Sequence, residues 1–224
     1  ISADAARTGE LLVDDTGTVY LTGNNSADMK VTLSQGTLVV GNITNLGDPS
    51  GTFFGSKLNL NGGTLSATND VTAGANFGVT ISANGGNLLA SSGKTLKFVD
   101  FINDTGAGTA AYTLGIGGGG TVIFEKASGN NQFNSNMTFS VTNGSTLSTP
   151  NLLALGNSST NIISLNNGTF AYTGNTGTAS QRFTIGASGG TINVSSNGQT
   201  LTLTNAATLT GALTKSGNGI LDIN

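Results

Sequence analysis

Short runs in which apolar and polar residues alternate dominate the chain. Val31-Thr-Leu33, Leu58-Asn-Leu60, Val79-Thr-Ile81, Ile163-Ser-Leu165, Phe183-Thr-Ile185 and Leu201-Thr-Leu203 are the clearest. A period of two, bounded by Gly and Asn, predicts strands. A helix would need apolar residues recurring every three or four positions, and no stretch sustains that spacing. Gly also interrupts the chain every few residues. The pattern predicts an all-β chain.

The alternating runs belong to one recurring phrase: apolar-x-apolar, a short Asn/Gly turn, then Thr followed by an apolar residue. It reads VTLSQGTLVV at 31–40, LNLNGGTLSA at 58–67 and VTISANGGNLLA at 79–90. It returns as TLGIGGGGTVIF (113–124), TFSVTNGSTLST (138–149), ISLNNGTFAY (163–172), FTIGASGGTINV (183–194) and LTLTNAATLTG (201–211). With the second apolar residue before the turn as anchor, Leu33, Leu60 and Ile81 lie 27 and 21 apart. Leu165, Ile185 and Leu203 lie 20 and 18 apart. A hairpin meander would explain the Asn-Gly turns, but not one phrase returning about every twenty residues. Repeats of this kind bury their apolar face only by stacking. The expected architecture is a single right-handed parallel β-helix of roughly nine to ten coils, about 45 Å long at a rise of about 4.8 Å.

Composition fits that stack. Charged residues make up 8% of the 224, against roughly 25% in ordinary domains. In a stack, equivalent positions sit directly above one another, and like charges there repel by about 1 kcal/mol even in water. Thr, Asn and Ser columns form hydrogen-bonded ladders instead, and aliphatic columns pack. Residues 1–224 read as one β-helix domain. The last residues still read as strand with no capping element, so the chain is expected to be a segment of a longer repeat array or to stack end to end on other copies.

Several function classes lose their basis. A net charge of −3 with eight scattered basic residues gives no nucleic-acid stripe. No run approaches the ~18 apolar residues of a spanning helix, so no membrane insertion by this segment is expected. Ile1–Gly9 carries no signal peptide, which places any such segment upstream or removes it. Without Cys or His there is no thiolate site, no standard base for a Ser or Thr nucleophile and no metal cluster. Catalytic, cofactor and metal residues are therefore expected to be none.

The final stretch LTKSGNGILDIN, 213–224, carries a more specific pattern. Leu213, Lys215, Gly217, Gly219, Leu221 and Ile223 fill the form L-x-K-x-G-x-G-x-L-x-L, which resembles the autotransporter-associated β-strand repeat. The looser LNLNGGTL phrases are similar to the same passenger domains over most of the chain. The resemblance implies a right-handed β-helix carried on an exported bacterial surface protein, serving adhesion, display or filament building.

Candidate sites are few. Asp28, Asp48 and Asp70 recur 20 and 22 apart, but alignment on the anchors places them in different parts of their coils, as turn residues. Asp14 and Asp15 are neighbours and would point to opposite faces of a strand. Asp100 and Asp104 flank Phe101-Ile-Asn in the least repetitive stretch, 98–111, and are the weak candidates for a cation or sugar contact. Gly117–Gly120 lacks the Lys-Ser/Thr and helix of a phosphate loop. Lys30 and Lys57 each precede an anchor by three residues and read as flanking residues on a solvated edge. Phe77, Phe98 and Phe124, spaced 21 and 26, read as an internal aromatic stack. The sequons at Asn42 and Asn193 are expected by chance in so Asn- and Thr-rich a chain.

The function expected from the sequence is a non-catalytic structural or adhesive segment of a secreted or cell-surface protein. Its partners would be further repeats or copies stacked end to end, and surface glycans. A polysaccharide-active β-helix enzyme or carbohydrate-binding module is the alternative. An ice- or mineral-binding solenoid, suggested by Thr200-Leu-Thr202-Leu-Thr204, is a second; it needs Thr-x-Thr on successive coils.

Overall fold

Strand follows strand along the chain, and each pairs in parallel with the strand one turn away. The computed structural model describes residues 9–25, 29–47, 53–99, 102–104 (backbone), 111–126, 133, 136–205 and 207–224. The strands form sheets of nine, seven, five and three members, with strand orders that always skip ahead by one coil. This is a parallel β-solenoid.

A coil near the N-terminus runs Phe54–Leu60, Thr64–Ala67, Val71–Ala73 and crosses the five-, nine- and seven-stranded sheets in turn. One near the C-terminus runs Arg182–Ile185, Gly190–Val194, Thr200–Leu203 and crosses the nine-, seven- and three-stranded sheets. The five- and three-stranded sheets therefore share the third side, at opposite ends of the stack. Between them that side carries the 3-10 turn Leu152–Leu155, which packs on Gly177–Ala179.

The nine-stranded sheet is the spine. Thr18, Thr37, Thr64, Asn87, Gly115, Ser140, Ser164, Thr184 and Thr208 stand one above the other. Nine strands enclose eight turns, of 19, 27, 23, 28, 25, 24, 20 and 24 residues by those numbers. The expected nine to ten coils are thus about eight turns, and the stack rises about 38 Å. A twenty-residue period undercounts the turn because corners and third-side elements absorb the surplus.

One residue further along each strand, the side chains face inward. Val19, Leu38, Leu65, Leu88, Ile116, Val141, Leu165, Ile185 and Leu209 make one column, its seven middle members buried. A second column on the seven-stranded sheet holds Val71, Leu96, Val122, Leu147, Phe170 and Ile192. Buried aliphatics of this size each stabilise the fold by roughly 1.5–3 kcal/mol relative to exposure. Nearly all the buried hydrophobic residues described belong to a single cluster.

The anchors Leu33, Leu60 and Ile81 do stand in register, as do Leu165 and Ile185. Leu203 does not: it faces Ala179 and Ile223 on the three-stranded sheet, and Leu209 pairs with Ile185. The phrase occupies different corners along the chain. Its first three copies join the five- to the nine-stranded sheet, the next four join nine to seven, and the last joins three to nine. Each corner makes the same demand, an inward apolar pair on either side of a tight turn, so one phrase fits all three.

The aromatic expectation holds in part. Phe98 and Phe124 are buried neighbours with ring centroids 6.0 Å apart. Phe124 continues to Phe139 at 6.1 Å, and Phe139 to Phe133 at 5.4 Å. Phe77 lies on the five-stranded sheet opposite Phe54, outside that stack.

Lys57 overturns the solvated-edge reading. The register of its strand shifts between Phe54 and Leu58, and the side chain is fully buried. Its ammonium donates to the Met29 carbonyl at 2.6 Å and lies 6.0 Å from the Phe54 ring centroid. Lys30 stays at the surface, paired with Glu10 at 3.3 Å.

Two 3-10 turns, Ile43–Leu46 and Leu152–Leu155, take the place of strands. Asn42 and Asn151 cap them by accepting from the backbone N–H two residues on, and Gly47 and Gly156 close them at positive φ. The shared spelling Asn-x-x-x-Leu-Gly is their sequence signal. Asn42 thus has a structural task that the sequon hides.

Candidate ligand-binding face

Charged side chains gather into no reactive cluster among the described residues. Asp28, Asp48 and Asp100 lie outside those residues. Of Asp104 the structure describes the backbone, which ends the strand Ile102–Asp104 opposite Ile81. Asp70 accepts from the Thr95 amide at 2.8 Å, so it tethers one coil's turn to the next. Asp15 accepts from the Thr16 amide at 2.7 Å in a local turn, and Asp14 beside it is exposed. No group of three His, Cys, Asp or Glu side chains suited to a metal occurs among the described residues.

Charges that meet between coils are of opposite sign. Lys30 pairs with Glu10, and Lys97 with Glu125 at 2.7 Å. The Thr32 hydroxyl also donates to the Glu10 carboxylate. That bond, with a smaller contribution from Lys30, holds the Glu10 carboxyl below its ordinary value despite some burial. A carboxyl lowered in the folded state stabilises above its unfolded pKa and loses that contribution as pH falls through the folded one. Glu10 is 43% exposed, so solvent screening leaves only a few tenths of a kcal/mol. In an NMR titration, Glu10 is expected to titrate below an ordinary glutamate, and Thr32→Val to move it back up. An unshifted Glu10 in the wild type would refute the assignment.

The outer surface is neutral and ladder-like instead. The column from Thr18 to Thr208 presents hydroxyl and amide groups along the nine-stranded sheet at every layer but Gly115. On the seven-stranded sheet, Thr95, Thr121, Thr146, Thr169, Thr191 and Thr214 form an unbroken ladder. The column two residues on holds Lys97, Ile123, Ser148, Ala171, Asn193 and Ser216, so no Thr-x-Thr plane forms there. Thr200 and Thr202 are likewise followed on the next coil by Ile220 and Asp222.

Two hollows interrupt the spine's outer face. The one at mid-sheet, of about 360 Å³, opens where Gly115 and Gly117 replace side chains beside Asn87, Ser140 and Thr142. A Cβ on Gly115 would fall 2.1 Å from the Asn87 amide oxygen, which leans over it.

The larger hollow, of about 490 Å³, lies at the first three layers and has no charged residue among the described residues of its lining. Gly41 is part of its lining. Tyr20, 69% exposed, stands beside its register partner Val39, and both line the hollow. Asn24, Asn42 and Asn69 line it as well. Asn42 is fixed through its oxygen, which accepts from the Thr44 amide at 3.1 Å, and Asn24 accepts from the Thr44 hydroxyl at 2.7 Å. Asn69 is fixed the opposite way, donating to the Gly41 carbonyl at 3.3 Å. Sequence reasoning passed over Tyr20, although the alternation Thr-Val-Tyr-Leu places it on the same side as Thr18 and away from the core-facing Val19 and Leu21.

No family model matches the chain, and no solved structure matches it. Among curated proteins, the chain is 34% identical over 220 residues to the adhesin BmaC autotransporter of Brucella suis biovar 1 (strain 1330), an alignment that takes in 92% of the chain. That relative is an autotransporter adhesin. The chain spans 6% of the relative's length. The likeness to autotransporter passenger repeats, carried in the sequence by Leu213–Asn224, therefore extends over nearly the whole solenoid.

Proposed function

We propose that this chain is a non-catalytic, adhesive segment of an exported, surface-displayed protein of the autotransporter type. It acts outside the cell or on the bacterial surface. The observation that carries the reading is the neutral column along nine strands, with a hydroxyl or amide side chain at every layer but Gly115, which gives a rigid rod a long hydrogen-bonding face. The likeness to an adhesin supports it, and so does the dispersal of the described carboxylates into turn and ion-pair duties. Further coils, from the same chain or another copy, are the natural partners of the last strands, whose Leu209, Ile220 and Ile223 are exposed.

The test is to display residues 1–224 on a non-adherent bacterium and count cells retained on epithelial and matrix-coated surfaces. Retention several-fold above the display vector alone is expected. Retention equal to the vector would overturn adhesion, and release of new reducing ends from neutral or acidic glycans would overturn the non-catalytic reading.

A further inference from the structure

We infer that the hollow beside Tyr20 is a binding site for a neutral saccharide; the inference rests on the adhesive reading and names its ligand class. The ligand must match three features of the site. An apolar strip, Tyr20 with Val39, offers a surface for C–H groups, and an exposed tyrosine supplies such area together with a polar tip. The same lining offers hydrogen-bonding groups held by the backbone. Asn42 is held by its oxygen, so its NH₂ group is left as donor with no partner among the described residues. Asn69 is held by its nitrogen, so its oxygen is left as acceptor. The described lining residues carry no charge, so none of them supplies the attraction that an anionic or cationic ligand would need. A pyranose has this complementary character: one face of C–H bonds, a rim of hydroxyls that both donate and accept, and no net charge.

The polar part of the lining is built in advance of any ligand. Asn45, buried, accepts from the Gly41 and Asn42 amides at 3.0 and 2.8 Å and donates to the Gly23 carbonyl at 3.0 Å. It ties Gly41, Asn42 and the preceding coil together. Groups held in place before binding lose less freedom on binding. The volume falls within the usual range for small-ligand sites, and a mix of apolar surface with a few oriented polar groups is their usual lining.

The experiment uses the whole 224-residue chain on an array of neutral oligosaccharides ending in galactose, glucose, mannose or N-acetylhexosamine, beside sialylated and sulfated ones. Tyr20→Ala removes the apolar platform. Gly41→Gln adds bulk to the lining; its Cβ would stand 3.1 Å from the Asn69 side-chain nitrogen, which would have to shift by a few tenths of an ångström, and at ordinary contact distance, 3.8 and 4.0 Å, from the Thr68 hydroxyl and the Asn45 amide oxygen. Binding to at least one neutral class is expected, with a loss of tenfold or more in both variants and retention in Tyr20→Phe. Circular dichroism melts checked alongside should coincide. Binding unchanged in both variants, or confined to charged glycans, overturns the inference. Adherence of the displayed chain without any glycan binding would overturn it too and leave the adhesive reading standing, whereas loss of adherence altogether removes that reading.

Discussion

Replacing Phe139 with Ala is expected to lower stability by about 3–5 kcal/mol. Phe139 is fully buried in the spine, stacked between Leu114 and Ile163. It also touches Phe124 and Phe133 edge-on from other parts of the coil. The loss therefore combines buried area, a cavity the rigid stack cannot close, and two aromatic contacts worth about 0.5–1.5 kcal/mol each beyond their area. Urea denaturation followed by circular dichroism measures it, with the exposed Tyr20→Ala as a reference expected within about 0.5 kcal/mol of wild type. A deficit under about 1 kcal/mol for Phe139→Ala would mean that the interior is loosely packed, contrary to the column described above.

Gly120→Ala is expected to cost about 3 kcal/mol through a different cause. Its Cβ would fall 2.3, 2.5 and 2.7 Å from the carbonyl oxygens of Ser91, Lys94 and Ala90. Those oxygens are already engaged: Ala90 accepts from the Gly120 amide, Lys94 from the Thr121 amide, and Ser91 from the Lys94 amide. None can withdraw without breaking the bonds that hold one corner on the next. Gly74 has open space at the same position, and Gly74→Ala is expected within about 0.5 kcal/mol of wild type. Equal melting of the two variants would refute the close approach of coils at this corner.

Much of the architecture was legible because a stack repeats its demands. Val31-Thr-Leu33 and Leu58-Asn-Leu60 alternate in the same way since they occupy equivalent places, and their registry follows from that equivalence. The identity of each corner was not legible. Ile81 and Ile116 hold the same place in the phrase, the second apolar residue before the turn, yet lie on different sheets, since the two corners require the same residues. Lys57 was misread because a bulge reverses the side that alternation assigns to it. Of the candidate site, Tyr20 and the Asn residues were visible as residue types. Their convergence depends on the 3-10 turn Ile43–Leu46, a feature that period-two patterns do not encode.

The unequal turns, from 19 to 28 residues, have an evolutionary consequence. Core-facing pairs recur unchanged while the peptide between them lengthens or shortens, so genetic insertions at corners leave neighbouring layers undisturbed. Such a scaffold can gain, lose or exchange surface loops without refashioning its interior.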